Sequence, residues 1–499
     1  MKTIALAILM AATMRATTGA AEAGPELVQM PNAGSPFVTF RIWIKAGSAS
    51  DPAGKEGLAY LTAGLIGEGS TRANAYEMIL KKMFPMAASY SVQVDREMTV
   101  LRGTVHKDHL QGYYTLLKEA LLAPAFQEDD FTRLKTDQAN FLATTLRYSS
   151  DEELGKALLH SVAFAGTSYA HPQQGLVHSV KTLTLDDVRA FYAKHYTRSN
   201  IVIGIAGGFG ENLVTQIRKD MEALPAGSPV AATLPPAMPA KKGLHVYIVE
   251  KETRSTAISF GHPIGLTRAN DDFYPMMIAN SWLGEHRNSS AHLYQVMREA
   301  RGLNYGDYSY IEWFPMGGRY SFPPPNAARH RQMFEVWIRP VVNDNRHFAL
   351  RQASREISLL VQNGMTKDAF ELSRDFVPNY SLNYAPTESY RLGLKLDDLF
   401  YGLPQSHLDR IRERVKNATL EQVNAAIRKY IDPANLDIVI ITQESAPLKK
   451  ALLENASSPI KYDSPTPQAI LDEDKIIQDF KLPIPAENVE IIPVEKVFE

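Results

Sequence analysis

Gly57-Leu58-Ala59-Tyr60-Leu61-Thr62-Ala63-Gly64-Leu65-Ile66 is an apolar run in which leucines 58, 61 and 65 recur at helical spacing. Just upstream, Phe37-Val38-Thr39-Phe40-Arg41-Ile42-Trp43-Ile44 reads as a β-strand, and Lys45-Ala46-Gly47-Ser48-Ala49-Ser50-Asp51 opens the loop that joins the two. The decisive unit is therefore a strand feeding an apolar helix, and the rest of the chain shows whether it is repeated.

It is written twice. Ser255-Thr256-Ala257-Ile258-Ser259-Phe260 is a second β-type run that precedes a helical segment. Thr184-Leu185-Asp186-Asp187-Val188 leads through Tyr196 and Asn200 to Ile201-Val202-Ile203-Gly204-Ile205. Thr419-Leu420-Glu421-Gln422-Val423 leads likewise through Tyr430 and Asn435 to Ile438-Val439-Ile440-Ile441. In both, a threonine with an acidic residue two positions on marks a helix start: the hydroxyl caps free N–H groups and the carboxylate faces the positive end of the dipole. Shared order and spacing predict an internal duplication. Segregated strands and helices predict an α+β fold, with one two-layer sandwich in each half.

The expected boundaries are a first domain over 24–224, a Pro-rich linker over 225–240, a second domain over 241–445 and an extended tail over 446–499. Prolines at 225, 229, 235, 236 and 239 favour extended backbone in the linker. In the tail, Val489-Glu490-Ile491-Ile492 is strand-like and suited to pairing with a sheet edge.

Composition narrows the function. A chain of 499 residues, 45% of them hydrophobic, has room for more than one core. A net charge of −2 provides no basic stripe for a nucleic-acid backbone, which excludes that partner class. With no cysteine, any metal site must use His, Asp or Glu. Residues 1–23 start with Lys2, continue as Ile4-Ala5-Leu6-Ala7-Ile8-Leu9-Met10-Ala11-Ala12 and end in small residues, the pattern of a secretory signal peptide. The expectation is an exported protein, periplasmic in a Gram-negative host. No other stretch is long and apolar enough to span a membrane.

The strand ending in Lys45 to Asp51, Gly57-Leu58-Ala59, and the apolar helix ending Gly67-Glu68-Gly69-Ser70-Thr71 together resemble the pitrilysin/insulinase family of zinc peptidases. The duplication, the linker and Arg298-Glu299-Ala300-Arg301-Gly302-Leu303-Asn304-Tyr305 extend the resemblance over about residues 35–445. Active members carry His-x-x-Glu-His on this helix: two imidazoles at i and i+4 hold zinc from one helical face, and the glutamate takes a proton from the bound water. Here the resemblance places Tyr60 at the first ligand, Ala63 at the base and Gly64 at the second ligand. The third ligand, a carboxylate in active members, falls near Asn140, and no glutamate lies between Asp130 and Ser150. The resemblance thus implies a non-catalytic chain that holds no zinc. Other histidines do not replace the site: His106 and His109 sit at the end of a β-type run, and His286 and His292 are six apart, so both pairs are read as solvated. Ala206-Gly207-Gly208-Phe209-Gly210 lacks the lysine of a phosphate loop and the dinucleotide spacing.

By the same resemblance, Arg298 and Tyr305 match the pair that holds a peptide substrate across from the zinc. Arginine offers a permanently charged fork to a peptide carbonyl, and the tyrosine hydroxyl can donate to the developing oxyanion. Ala88-Ser89-Tyr90-Ser91-Val92-Gln93-Val94 alternates as an edge strand would, and active relatives pair substrate backbone with such an edge. The expected function is that of the substrate-clamping subunit of a heterodimeric peptidase. Zinc would sit in a homologous partner subunit, and the pair would act on peptide substrates. The alternative is a structural scaffold or peptide-binding protein with no part in catalysis.

Overall fold

In the computed structural model, residues 25–228, 238, 241–315, 319–462 and 464–499 are described. The signal-peptide expectation over 1–23 lies outside them, as does most of the 225–240 linker. Among the described residues, no helix is long and apolar enough to cross a membrane.

Five strands form the first sheet: β1 (Glu26–Pro31), β2 (Phe37–Ile44), β3 (Ser89–Val94), β4 (Thr99–His106) and β5 (Ile201–Gly207). The second contains β6 (His245–Glu250), β7 (Ser255–Ile264), β8 (Asp307–Tyr310), β9 (Gln332–Val342), β10 (Asp437–Thr442) and β11 (Val489–Pro493). The first runs β1-β5-β2-β4-β3, and the second runs β11-β6-β10-β7-β9-β8. Without β11 the two orders coincide strand for strand, with one parallel pair each, β1 with β5 and β6 with β10, in otherwise antiparallel sheets. The duplication therefore extends to topology. It reaches side-chain detail too: Thr184 with Asp187 and Thr419 with Gln422 each close a reciprocal capping box at the corresponding helix start.

Alternation along the strands builds the first core. Val38, Phe40, Ile42 and Ile44 of β2 pack with Leu58, Leu61 and Leu65 of the helix Leu58–Glu68, while Trp43 joins Val100 and Val202 on the opposite face. That opposite face is not left to solvent. The helix Glu388–Phe400, from the second half of the chain, packs across β2 and β5, and its Leu396 completes the cluster with Trp43. Conversely, the first-half helix Asp151–Ala163 packs on β7, β9 and β10. Each half thus lends a helix to the other's sheet. This is why β2, β5 and β10 read as near-continuous apolar runs rather than alternating ones.

Buried polar contacts fasten the halves. Arg329, 1% exposed, donates to both carboxylate oxygens of Asp95 at 2.5 and 3.0 Å and lies 3.9 Å over the Trp313 ring. Glu97 accepts from the His330 N–H at 2.7 Å and from the Tyr169 hydroxyl. Asn326 accepts from Arg41, and its N–H donates to Asp397 at 3.0 Å.

Residues 446–499 are not uniformly extended. Leu448 and Leu452 bury one face of the helix Ser445–Leu453, and a further helix spans Gln468–Ile477. The strand-like run does pair: β11 adds to β6 in parallel. The chain end then crosses to the first half, where Arg147 Nε donates to the Val497 carbonyl at 2.8 Å and its guanidinium meets Glu499 at 2.8 Å.

Candidate functional site

The helix Leu58–Glu68 starts at Gly57, whose φ of 103° and ψ of 0° lie in the left-handed region. A side chain there would lie within 2.5 Å of the Gln174 carbonyl oxygen and 2.6 Å of Gln138 Nε2, so only glycine fits. Asp51 caps the helix from the loop: its oxygens accept the N–H groups of Gly57 and Ala59, each at 2.7 Å. Burial raises the Asp51 pKa to about 8, outweighing the two N–H bonds. Gln138, on the helix Glu128–Asn140, braces the same turn by donating to the Gly57 and Gln174 carbonyls at 2.9 and 2.7 Å. The helix start is rigidly built although no metal chemistry follows from it.

Tyr60, Ala63 and Gly64 come together on the wall of one cavity of about 190 Å³, with Val92 and Val94 of β3 and with Leu134, Asp137, Gln138 and Phe141 opposite. Asn140 is exposed and does not line it. The face toward Tyr60 is set by the i, i+3/i+4, i+7 repeat of Leu134, Asp137, Gln138 and Phe141, and Asn140 falls between those positions. The position opposite the helix is therefore Asp137 or Gln138. The carboxylates of Glu68 and Asp137 border the cavity and no imidazole does. Ala63 and Gly64 have no lone pair to offer, and among the described residues no three His, Cys, Asp or Glu side chains stand where they could hold a metal ion. The residues present do not fit zinc.

Two histidines differ from expectation. His286 is buried, with Nδ1 2.6 Å from the Tyr310 hydroxyl and its ring among Tyr308, Tyr310 and Phe314. His292 pairs with Glu356 at 2.7 Å and stacks on Trp282. Packing against aromatic neighbours, which local spacing does not reveal, buries His286 and half-buries His292. His109 is exposed, and His106 accepts the Asp108 N–H at 3.3 Å.

Arg298 sits in a π-helical turn, Tyr294–Glu299, and lies over the Tyr294 ring at 4.6 Å with Glu299 at 3.5 Å. Tyr305 is 75% exposed, whereas Tyr308 and Tyr310 are buried. The loop between Arg298 and Tyr305 is pinned from both ends. Arg301 is bound to Glu473 and Asp474 at 2.7 and 2.8 Å, and Asn304 donates to Asp307 at 2.7 Å and to the Arg339 carbonyl at 3.0 Å. Neither Arg298 nor Tyr305 lines the cavity beside Tyr60.

Asp307, at the base of this loop, is fully buried, and one of its carboxylate oxygens has no hydrogen-bond partner. Burial pushes its pKa from 3.8 to about 8, against the Asn304 bond and the Arg339 charge. The folded protein therefore holds a proton that the unfolded chain gives up. This contribution to stability is complete below pH 3.8 and is lost as pH rises through about 8. Asp307→Asn mimics the protonated acid and is expected to flatten the loss of stability between about pH 6 and 8 by up to about 1.4 kcal/mol per pH unit. Denaturant titrations of both proteins across that range check it, and parallel pH profiles would refute it.

β3 is an edge strand, as its alternation predicted, and it borders the altered helix.

Comparison with known proteins supplies the context. Residues 27–175 match the family described as insulinase (peptidase family M16), and residues 182–376 match the peptidase M16 inactive domain. The chain is 25% identical over 403 residues to an uncharacterized zinc protease of Streptomyces coelicolor, covering 79% of this chain and 82% of that one. It is 22% identical over 404 residues to the non-peptidase homolog YmxG of Helicobacter pylori, covering 80% and 87%. A solved M16 inactive domain from Pseudomonas fluorescens shares the fold with a TM-score of 0.73 and 22% identity, over 84% of this chain and 96% of that one. The periplasmic protease PqqL from Escherichia coli gives a TM-score of 0.67 at 14% identity, over 93% of this chain but 50% of its own length.

Proposed function

Because the chain belongs to the M16 insulinase-type peptidase family, as an inactive member of it, we propose that it is the substrate-clamping subunit of a heterodimeric zinc peptidase. The observation that carries this reading is an asymmetry. Tyr60, Ala63 and Gly64 line the altered site without a metal-binding set, while Arg298 and the exposed Tyr305 hang on a loop braced at both ends. A loop held so firmly around two solvent-reachable side chains suits a surface that meets another molecule. In this reading Arg298 grips a substrate carbonyl and Tyr305 donates to the oxyanion, both toward zinc held by a homologous partner subunit. The halves over 24–224 and 241–445 are the two homologous domains, and the protein works in the periplasm. Support also comes from PqqL, a chain of which this fold spans half.

The test is affinity capture from the native host followed by metal analysis. The expected result is co-purification of a homologue carrying His-x-x-Glu-His, about one zinc per pair, and chelator-sensitive peptide cleavage by the pair alone. One zinc per isolated chain, with cleavage, would overturn the assignment. Absence of any such homologue would favour the scaffold or peptide-binding alternative.

A further inference from the structure

Beside the altered helix, and between the two halves, is a second cavity of about 350 Å³. β3 contributes Ser91 and Gln93 to its wall, the helix Asp151–Ala163 contributes Lys156 and His160, and the second half contributes Trp313. Its charges do not balance. Asp95 is taken by Arg329 at 2.5 and 3.0 Å, and Glu153 by Lys156 at 2.8 Å. That leaves Arg96, Arg102 and Arg319, the last lying 5.9 Å over the Tyr320 ring. Arg96 is 3% exposed, donates from Nη1 to the Ser48 hydroxyl and the His171 carbonyl, and has no acceptor at Nε. Arg102, on β4, is partly exposed and among the described residues reaches neutral groups, Gln93 Oε1 at 2.9 Å and Ser91 Oγ at 3.4 Å.

Arg102 also has a cation for a neighbour. Its cross-strand partner on β2 is Arg41, 2% exposed, whose pKa falls to about 10 through burial first and the Arg102 charge second. Two further groups of the wall have no hydrogen-bond partner among the described residues, Trp313 Nε1 and His160 Nδ1. Guanidiniums that donate to no carboxylate among the described residues thus stand beside β3, whose outer edge pairs with no other described strand. Guanidinium forks match carboxylates in shape and charge, and a free sheet edge matches extended backbone.

We propose that this chamber selects an extended peptide by an acidic side chain, whose carboxylate accepts from Arg102. The ligand class is a peptide bearing glutamate or aspartate, and the discriminating residue is Arg102. Such an anion would relieve the repulsion between Arg102 and Arg41 and would not have to compete with an existing carboxylate. The site belongs to the isolated chain and uses neither a partner subunit nor Arg298 nor Tyr305. Failure of the heterodimer reading leaves it standing, and its own failure leaves that reading untouched.

Fluorescence anisotropy with the full-length protein tests it, using labelled peptides acetylated and amidated at their ends and identical except for one central Glu, Gln or Lys. The Glu peptide is expected to bind about tenfold more tightly than the Gln peptide, with the Lys peptide weakest, in line with one charge-assisted hydrogen bond. Arg102→Gln is expected to abolish the Glu-over-Gln preference and leave Gln-peptide affinity unchanged. Arg102→Lys, which keeps the charge without the fork, should restore part of it. Equal affinities for the three peptides, or no binding of any, would overturn the proposal in the wild-type protein alone, whatever the folding of the variants. A preference that survives Arg102→Gln would overturn the role of Arg102.

Discussion

Arg329→Met is expected to cost about 3 kcal/mol of folding stability, because it removes one member of a buried ion pair and leaves the other in place. Asp95 would lose two hydrogen bonds of 2.5 and 3.0 Å, and Trp313 would lose the cation stacked 3.9 Å above it. Arg96 moderates the loss, since its own N–H still donates to Asp95 at 2.6 Å; this keeps the estimate at the low end of the usual range of about 3–5 kcal/mol. The double variant Asp95→Leu, Arg329→Met should recover most of the deficit, because it removes the stranded charge as well as its partner. Chemical denaturation of the three variants measures both effects. A single-variant loss below about 1 kcal/mol would show that the contact does not fasten the halves.

Tyr305→Phe has the largest effect expected on activity. In a pair reconstituted with its zinc-bearing homologue, kcat should fall about 10²-fold with little change in KM, the signature of an interaction made only in the transition state. Arg298→Ala should chiefly raise KM, since a carbonyl is gripped in the ground state as well. Neither change should alter folding of the chain much: Tyr305 is 75% exposed, and the Arg298 side chain is partly exposed, with Tyr294 and Glu299 beside it. Unchanged steady-state kinetics in both variants would remove the clamp and leave the scaffold reading.

Local signals were legible wherever the physics is local. The threonine caps at 184 and 419, the β3 edge and the pairing of 489–492 are all written in short patterns of sequence, whereas the reciprocal bonds to Asp187 and Gln422 are not read from it. The spacing of 60, 63 and 64 places them on one helical face, and all three line one cavity. Asn140 is exposed and outside the cavity, which Asp137 and Gln138 line, because the register between two helices is set by their packing and not by either sequence alone. The Asp51 cap had a signal in the carboxylate six residues ahead of Gly57, yet only the fold brings it onto the helix axis. The burial of His286 and the charge excess at Arg102 were illegible, because both depend on neighbours distant in sequence. Nothing in an amphipathic pattern tells which sheet a helix will cover, so the exchange of helices between the halves could not be foreseen.

That exchange has a consequence for how the protein comes into being on the ribosome. When the first 224 residues have emerged, the face of β2 and β5 bearing Trp43 and Val202 still awaits the helix Glu388–Phe400, and the helix Asp151–Ala163 has no sheet to rest on. The nascent chain must carry this uncovered apolar surface for well over a hundred further residues, a high-contact-order route that favours slow maturation and dependence on holding chaperones. Glu499 then seats against Arg147, so this contact of the first half forms only after the strands of the second have been made.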